Sequence, residues 1–294
     1  MVWCCNTGQS VCADILVISL RPTRVDISNK LLWRSMGIAF SDTDGRLDPI
    51  RTMIDHGDDE MSRDKSLLHM LLWILCRLAD LLASKQRVAP STTSPASTVS
   101  GHTWISSVSW SEVNSDVDNL YDASRPLLHP DTIVESEDAV PDGPASTCWF
   151  LSSTLALAAI YLHMTKIPLL SSMPSGPFAA MSTSPSSAPD WISAYRKLHH
   201  QMTSHAKQIV SIALGSPPVA VKLHLLQPLY VAGRCLTEIH DQDELLLFLG
   251  LMEKELGMAT GYRVQDLLRE WGRPMPSQRS ELDRELSDLS SVEA

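Results

Sequence analysis

The fold is decided by residues 205–272, which have the sequence HAKQIVSIALGSPPVAVKLHLLQPLYVAGRCLTEIHDQDELLLFLGLMEKELGMATGYRVQDLLREWG. Apolar residues recur here at spacings of three and four, which predicts four successive helices that each bury one stripe. The first is expected to end at Gly215. The second begins at Pro217-Pro218, where the missing amide donors have no intrahelical partner. Pro228 predicts a kink near Leu225, because it removes a hydrogen bond and clashes with the preceding turn.

Capping signals set the expected limits of the last two helices. Asp241 and Glu244 have the spacing of a capping box, which predicts the start of the third helix, and Gly257 predicts its end. The fourth is expected to open at Thr260 and to stop at Gly272. The residues expected in the core are Leu245, Phe248, Leu249, Met252, Leu256, Val264, Leu267, Leu268 and Trp271.

The same periodicity predicts five helices upstream. Their expected ranges are 31–40, 66–86, 104–121, 148–170 and 191–204. In the first, Leu31, Leu32 and Met36 are expected to point inward, with Trp33 as an added aromatic contact. The apolar run within 66–86 contains His69, Arg77 and Asp80, which a lipid-facing span would carry at high cost, so we predict a core helix and not a membrane span.

Two Ser/Pro-rich stretches, residues 89–101 and 171–189, have too few apolar residues to join a core and are predicted to be disordered inserts. We therefore expect an all-α fold in which residues 31–272 form a single orthogonal array of eight to ten helices. Residues 1–30 are a poorly defined N-terminal segment, and residues 273–294 a charged tail.

Charge excludes one class of function. The 294 residues carry a formal charge of −10, and lysine and arginine are not clustered. Affinity for a phosphate backbone comes from counterions released by clustered cations. The chain is therefore not expected to hold DNA by itself.

For each cysteine and histidine that could act in catalysis or metal binding, a structural role is the stronger interpretation. Cys4, Cys5 and Cys12 lack metal-ligand spacing, and the six cysteines are expected to be reduced. His69 and Cys76 share a helix face, but leucines dominate it. His163, His199, His200 and His205 contain no pair at the i, i+4 spacing of a helical metal site. We predict no catalytic, cofactor-binding or metal-binding residue.

Several segments resemble the regulatory domain of fungal zinc-cluster transcription factors. They are HAKQIVSIAL (205–214), LQPLYVAGRCL (226–236), LMEKELGMATGYRVQDLLREWG (251–272) and SLLHMLLWILCRLADLLA (66–83), together with Trp104, Trp110, Arg125 and Pro126. The resemblance implies an all-helical regulatory domain that acts in the nucleus. The two C-x2-C-x6-C half-sites of that family's DNA-binding module are not present between residues 1 and 294.

The resemblance implies a non-enzymatic transcriptional regulator, either a co-regulator or a DNA-binding-deficient transcription factor, of a fungal gene set such as a biosynthetic gene cluster. Its expected partners are other transcription factors or transcription machinery proteins, with DNA contacted only indirectly, no membrane, and a homodimer or heterodimer as the assembly. A helical small-molecule sensor or enzyme, and an oligomerising helical scaffold without a transcriptional role, are the alternatives. Nuclear localisation together with altered transcript levels distinguishes the first reading from these two.

Overall fold

The computed structural model describes residues 30–55, 59–87, 109–128, 132–134, 147–173 and 191–274. Within these ranges the chain forms ten helices and one two-stranded antiparallel sheet, which confirms the all-α class. The elements are α1 (Lys30–Ser35), α2 (Pro49–Asp55), α3 (Glu60–Arg87), α4 (Trp110–Ser124), β1 (Thr132–Val134), β2 (Thr147–Trp149), α5 (Ser153–Ser171), α6 (Trp191–Leu214), α7 (Val219–Lys222), α8 (Leu226–Gly233), α9 (Ile239–Leu256) and α10 (Gly261–Glu270).

Helix α3 lies at the centre of the amino-terminal half, where α2, α4 and α5 pack around it. Its predicted stripe is confirmed, since Leu67, Leu71, Ile74, Leu78 and Leu81 are all buried. The windows Glu60–Ala83 and Ser153–Ser171 are long and apolar enough to cross a membrane, but 78% and 56% of them are buried inside the protein. The first window is therefore mainly buried in the core, and the second buries more than half of its residues inside the protein.

Helix α6 connects the two halves of the molecule. It packs against α5 and β2 of the amino-terminal half and against α8 and α9 of the carboxyl-terminal half. The two segments predicted on either side of Ser204 are one continuous helix of 24 residues. The junction carries no glycine or proline, so the backbone has no reason to break there.

Two helices have a serine as their N-cap residue. Ser109 accepts a hydrogen bond from the amide of Glu112, whose carboxylate accepts one from the amide of Ser109, which completes a capping box. Ser152 caps α5 through the amide of Leu155 and also donates to Asp64 of α3 at 2.6 Å. The start predicted for this helix was wrong, because Cys148 lies in β2, where it pairs with Ile133.

The carboxyl-terminal helices differ from the prediction in two respects. The second predicted helix is two separate helices, α7 and α8, because residues 223–225 form a turn; Pro228 lies in the first turn of α8, where its missing donor costs nothing. The third begins at Ile239 and not at Asp241, so Asp241 lies in its first turn and forms an ion pair with Lys207 at 3.0 Å. Its predicted end is confirmed, with Gly257 at a φ of 66°.

Burial of the predicted core residues is confirmed at most positions. In α9 and α10, Leu245, Leu249, Met252, Leu267 and Leu268 are buried, and Val264, Leu256 and Trp271 are partly buried. In α1 the inward prediction was wrong for Leu31, which is 74% exposed, whereas Leu32 and Met36 are partly buried. The predicted aromatic contact of Trp33 is confirmed, since Trp33 is buried against Trp73 with ring centroids 5.4 Å apart.

Several predictions fall outside the described residues. They concern Cys4, Cys5, Cys12, Trp104, the insert at 89–101, most of the insert at 171–189, and most of the tail at 273–294.

Gly215 is expected to tolerate no side chain. A Cβ atom there would lie 2.2 Å from the carbonyl oxygen of Cys148, so α6 and β2 would have to separate. We expect Gly215→Ala to lower the free energy of unfolding by about 1–3 kcal/mol, measured by urea denaturation. Gly261→Ala is the matched control, because the nearest atom to its new Cβ is 3.9 Å away. Equal midpoints for the two variants would contradict the close packing at Gly215.

Candidate functional site

Two histidines from different helices meet between α5 and α6. The Nδ1 atoms of His163 and His205 are 3.0 Å apart, and the ring centroids are 5.2 Å apart. Burial lowers the pKa of His163 to about 3, helped by the positive charge of His205 and Lys166, and burial with Lys166 lowers the pKa of His205 to about 4. Both rings are therefore neutral at pH 7, and one Nδ1 donates its proton to the other.

The sequence pattern of a helical metal site does not identify this pair. That pattern places two histidines four positions apart, whereas His163 and His205 are 42 positions apart. The sequence favoured a structural role for His163 over a metal-ligand role, and the hydrogen bond to His205 gives its ring a structural partner. His200 is exposed, and the ring of His199 lies 6.4 Å from that of Tyr195. The sequence signal that places His205 inward is its position one residue before the buried stripe of α6, which begins at Ala206.

The histidine pair should make stability depend on pH. Below the ordinary pKa of 6.5 the unfolded chain binds protons at both positions, whereas the folded chain does not until about pH 4 at His205 and about pH 3 at His163. Stability is therefore expected to fall as pH falls from about 6.5 to about 5, by on the order of 1 kcal/mol per pH unit. Urea denaturation across this range measures the slope.

The double variant His163→Leu/His205→Leu should have a flatter slope than the wild type, because it removes both titrating groups. His200→Gln is the matched control, since this histidine is exposed. If the double variant and the control gave the same slope, the histidine pair would not be the origin of the pH dependence.

A second polar cluster joins α3, α4 and the loop before α2. The side chain of Asp116 is 1% exposed and forms ion pairs with Arg46 at 2.7 Å and with Arg77. Arg77 also contacts Glu112 at 3.1 Å. Hydrogen bonding to Asp116 raises the pKa of Arg46. Two cations and two anions balance, so the cluster is neutral as a unit and holds three parts of the chain together.

A third polar cluster lies where α8 meets α10. Arg263 is 1% exposed, donates to the Oε1 of Gln227 at 2.9 Å, and has its guanidinium 4.0 Å from the ring centroid of Tyr230. Close packing accompanies it, because a Cβ on Gly233 would lie 2.8 Å from Leu245 and Leu267. The segment LQPLYVAGRCL is therefore the helix at which the carboxyl-terminal elements converge.

The remaining candidate residues are buried or form hydrogen bonds that stabilise the fold. Cys76 is fully buried, and the Nδ1 of His69 lies 3.2 Å from the carbonyl oxygen of Met36. Trp110 donates from its indole to the carbonyl of Leu169 at 2.9 Å, which joins the start of α4 to the end of α5. Helix α4 ends at Ser124, three residues beyond the predicted end at 121, and Arg125 is its C-cap directly before Pro126.

One group in the described part of the chain has the composition of a metal site. His240, Asp241 and Glu244 place their ligand atoms within 4.8 Å of one another. Asp241 already pairs with Lys207, and His240 lies 3.9 Å from Glu244. Asp241 is an acidic residue in the first turn of α9, which a helix N-terminus favours, and His240 and Glu244 are neighbours at the i, i+4 spacing of the same helix.

Comparison with known proteins gives one informative similarity. The chain is 25% identical over 285 residues to "Transcription activator AMTR1" of Alternaria alternata, in an alignment that covers 90% of this chain and 34% of the activator. The chain thus spans about a third of that protein's length. No family model and no solved structure matches. The similarity, together with the all-α fold, relates this chain to a fungal transcription activator.

Proposed function

We propose that this protein is a non-enzymatic transcriptional regulator that acts in the nucleus through its helical domain. The observation that carries the proposal is the similarity to a fungal transcription activator along 90% of the chain. The segments that resemble a zinc-cluster regulatory domain fall on α3, α6, α8, α9 and α10, and each of these helices contributes residues to the core. A regulatory domain of this kind gives the similarity and the helical architecture a common explanation.

The surface favours protein partners over direct DNA contact. In the described part of the chain, seven cations on different helices and loops each form an ion pair with a nearby carboxylate. Such pairs are Arg51–Asp42, Lys166–Asp118, Lys207–Glu238, Lys222–Glu255, Arg234–Glu270, Arg269–Asp266 and Arg273–Asp243. A phosphate backbone would have to displace these carboxylates, with little release of counterions. The protein is thus proposed to reach DNA indirectly, through other transcription factors or transcription machinery proteins. Its role would be that of a co-regulator or DNA-binding-deficient transcription factor of a fungal gene set such as a biosynthetic gene cluster.

The test fuses residues 1–294 to a heterologous DNA-binding domain and measures a reporter gene that carries its operator. The DNA-binding domain alone is the control. The expected result is a change in reporter transcript above that control, with the fusion protein in the nucleus. A fusion that is nuclear, folded and bound to the operator but leaves the transcript unchanged would contradict the proposal.

A second measurement addresses the gene set. Deletion of the gene is expected to change the transcripts of a limited group of genes. Unaltered transcripts, together with stable self-association of the protein, would instead favour a helical scaffold.

A further inference from the structure

The outward face of α9 carries an ordered stripe of four residues. Asp243, Leu247, Gly250 and Lys254 follow one another at spacings of four, three and four, which places them within an arc of about 60° on the helix. All four are exposed, and Leu247 is 70% exposed. The opposite face of the same helix is buried in the core through Leu245, Leu249 and Met252. The stripe therefore points directly away from the molecule.

Gly250 has no explanation within its own chain. It lies in the interior of an 18-residue helix, where glycine is less favourable than alanine. A Cβ atom at this position would meet nothing within 4 Å, so no neighbour in the described chain requires its absence. A missing side chain on an exposed helix face does allow a second helix to approach closely. Gly250 is thus a second observation, independent of the exposed leucines, that points to a partner.

Exposed aliphatic side chains continue beside the stripe. Leu251, next to Gly250, is 51% exposed. Glu255, one turn further on, accepts from Lys222 of α7 at 2.9 Å, which holds α7 beside the end of α9. Val219 and Leu223 of α7 are 57% and 50% exposed. Both helices therefore carry exposed apolar side chains in addition to the stripe.

We propose that this stripe is the interface with a second copy of this chain, with the two α9 helices antiparallel about a two-fold axis. The order acidic, leucine, glycine, basic is complementary to itself when reversed. Asp243 of each copy meets Lys254 of the other, and Leu247 of each copy packs over Gly250 of the other. An interface between identical surfaces requires this self-complementarity. A partner of unrelated sequence would not explain why charge and side-chain size are matched in the same register.

Asp243 remains able to take part. It accepts from Arg273 at 2.6 Å, but its side chain is 52% exposed, and a carboxylate has acceptor capacity for further donors. The apolar part of the surface is small, so the dimer is expected to be reversible and not obligate. It exists in addition to the proposed transcriptional role and does not depend on that role being correct.

Sedimentation equilibrium of the full chain over a range of concentrations tests the proposal. The wild type is expected to show a monomer–dimer equilibrium, and Leu247→Asp is expected to raise the dissociation constant by at least about tenfold. Leu31→Asp is the matched control, because Leu31 is 74% exposed but lies on α1. A wild type that stays monomeric, or a Leu247→Asp dimer as tight as the wild type, overturns the proposal.

Charge exchange tests the antiparallel register. Asp243→Lys alone and Lys254→Asp alone each place like charges opposite one another, so each variant should self-associate more weakly than the wild type. When the two variants are mixed, every opposed pair is again of opposite sign, and a heterodimer is expected. Thermal unfolding of each variant verifies that it is folded, since Asp243→Lys also loses the contact with Arg273. A mixture that associates no better than the separate variants overturns the register.

Discussion

A protein in which Asp116 is replaced by alanine is expected to unfold with a free energy about 3–5 kcal/mol lower than that of the wild type. The side chain of Asp116 is 1% exposed, and that of Arg77 is 13% exposed. Removal of the carboxylate leaves Arg46 without its acidic partner and leaves Arg77 with Glu112 alone, so the cluster keeps one cation more than it has anions. Breaking a buried ion pair by removing one partner costs more than the pair contributes, because an uncompensated charge stays in the interior.

Asp118→Ala is the matched control for this measurement. Asp118 lies two residues later on the same helix and pairs with Lys166 at 2.5 Å, but its side chain is 52% exposed. An exposed pair of this kind is expected to contribute up to about 1 kcal/mol. Chemical denaturation of both variants gives the comparison. If Asp116→Ala lost no more stability than Asp118→Ala, the cluster would not stabilise the junction of α3 and α4.

The second large effect is expected at the carboxyl-terminal core. Leu249 is 0% exposed and Leu268 is 4% exposed, on α9 and α10 respectively. Replacement of either by alanine should lower the free energy of unfolding by about 2–5 kcal/mol, through lost transfer free energy and the cavity left behind. Thermal and urea unfolding measure the loss.

Leu247→Ala is the control on the same helix, since its side chain is 70% exposed. Unfolding at low protein concentration separates its effect on stability from any effect on self-association. Unchanged midpoints for Leu249→Ala and Leu268→Ala would show that these two leucines are not core residues.

Helices with a regular apolar stripe were predictable from the sequence, because the periodicity is local. The stripe from Leu67 to Leu81 and the stripe of α10 both lie where their spacing predicted them. The short strand β2 was not predictable in this way. It pairs with β1, and the paired residues Ile133 and Cys148 are 15 positions apart in the sequence. A segment of three residues carries too little pattern to distinguish a strand from the start of an apolar helix.

Capping patterns show why one local signal can succeed or fail. Ser109 and Glu112 form a capping box in the structure, and Asp241 and Glu244 have the same spacing but do not. Lys207 of α6 pairs with Asp241, and α9 starts two residues earlier, so the carboxylate stabilises the first turn from inside the helix. The sequence near residue 241 contains no trace of that lysine, which is 34 residues away along the chain.

The polar clusters were not predictable for the same reason. Arg46 and Asp116 are 70 residues apart, Arg77 and Asp116 are 39 apart, and the two histidines are 42 apart. Each partner alone is an ordinary charged or polar residue within a helical pattern. Only the packing of α3, α4, α5 and α6 brings them within hydrogen-bond distance. The fold class therefore follows from local sequence, whereas the sites depend on tertiary contacts.

The continuity of α6 affects how the protein unfolds. A helix of 24 residues is about 36 Å long, and this one packs against elements of both halves of the molecule. Opening of either half exposes part of the surface of α6 and removes support from the other half. Local unfolding of one half without the other is therefore costly, and the most protected amide hydrogens of α3 and α8 should exchange through the same global opening.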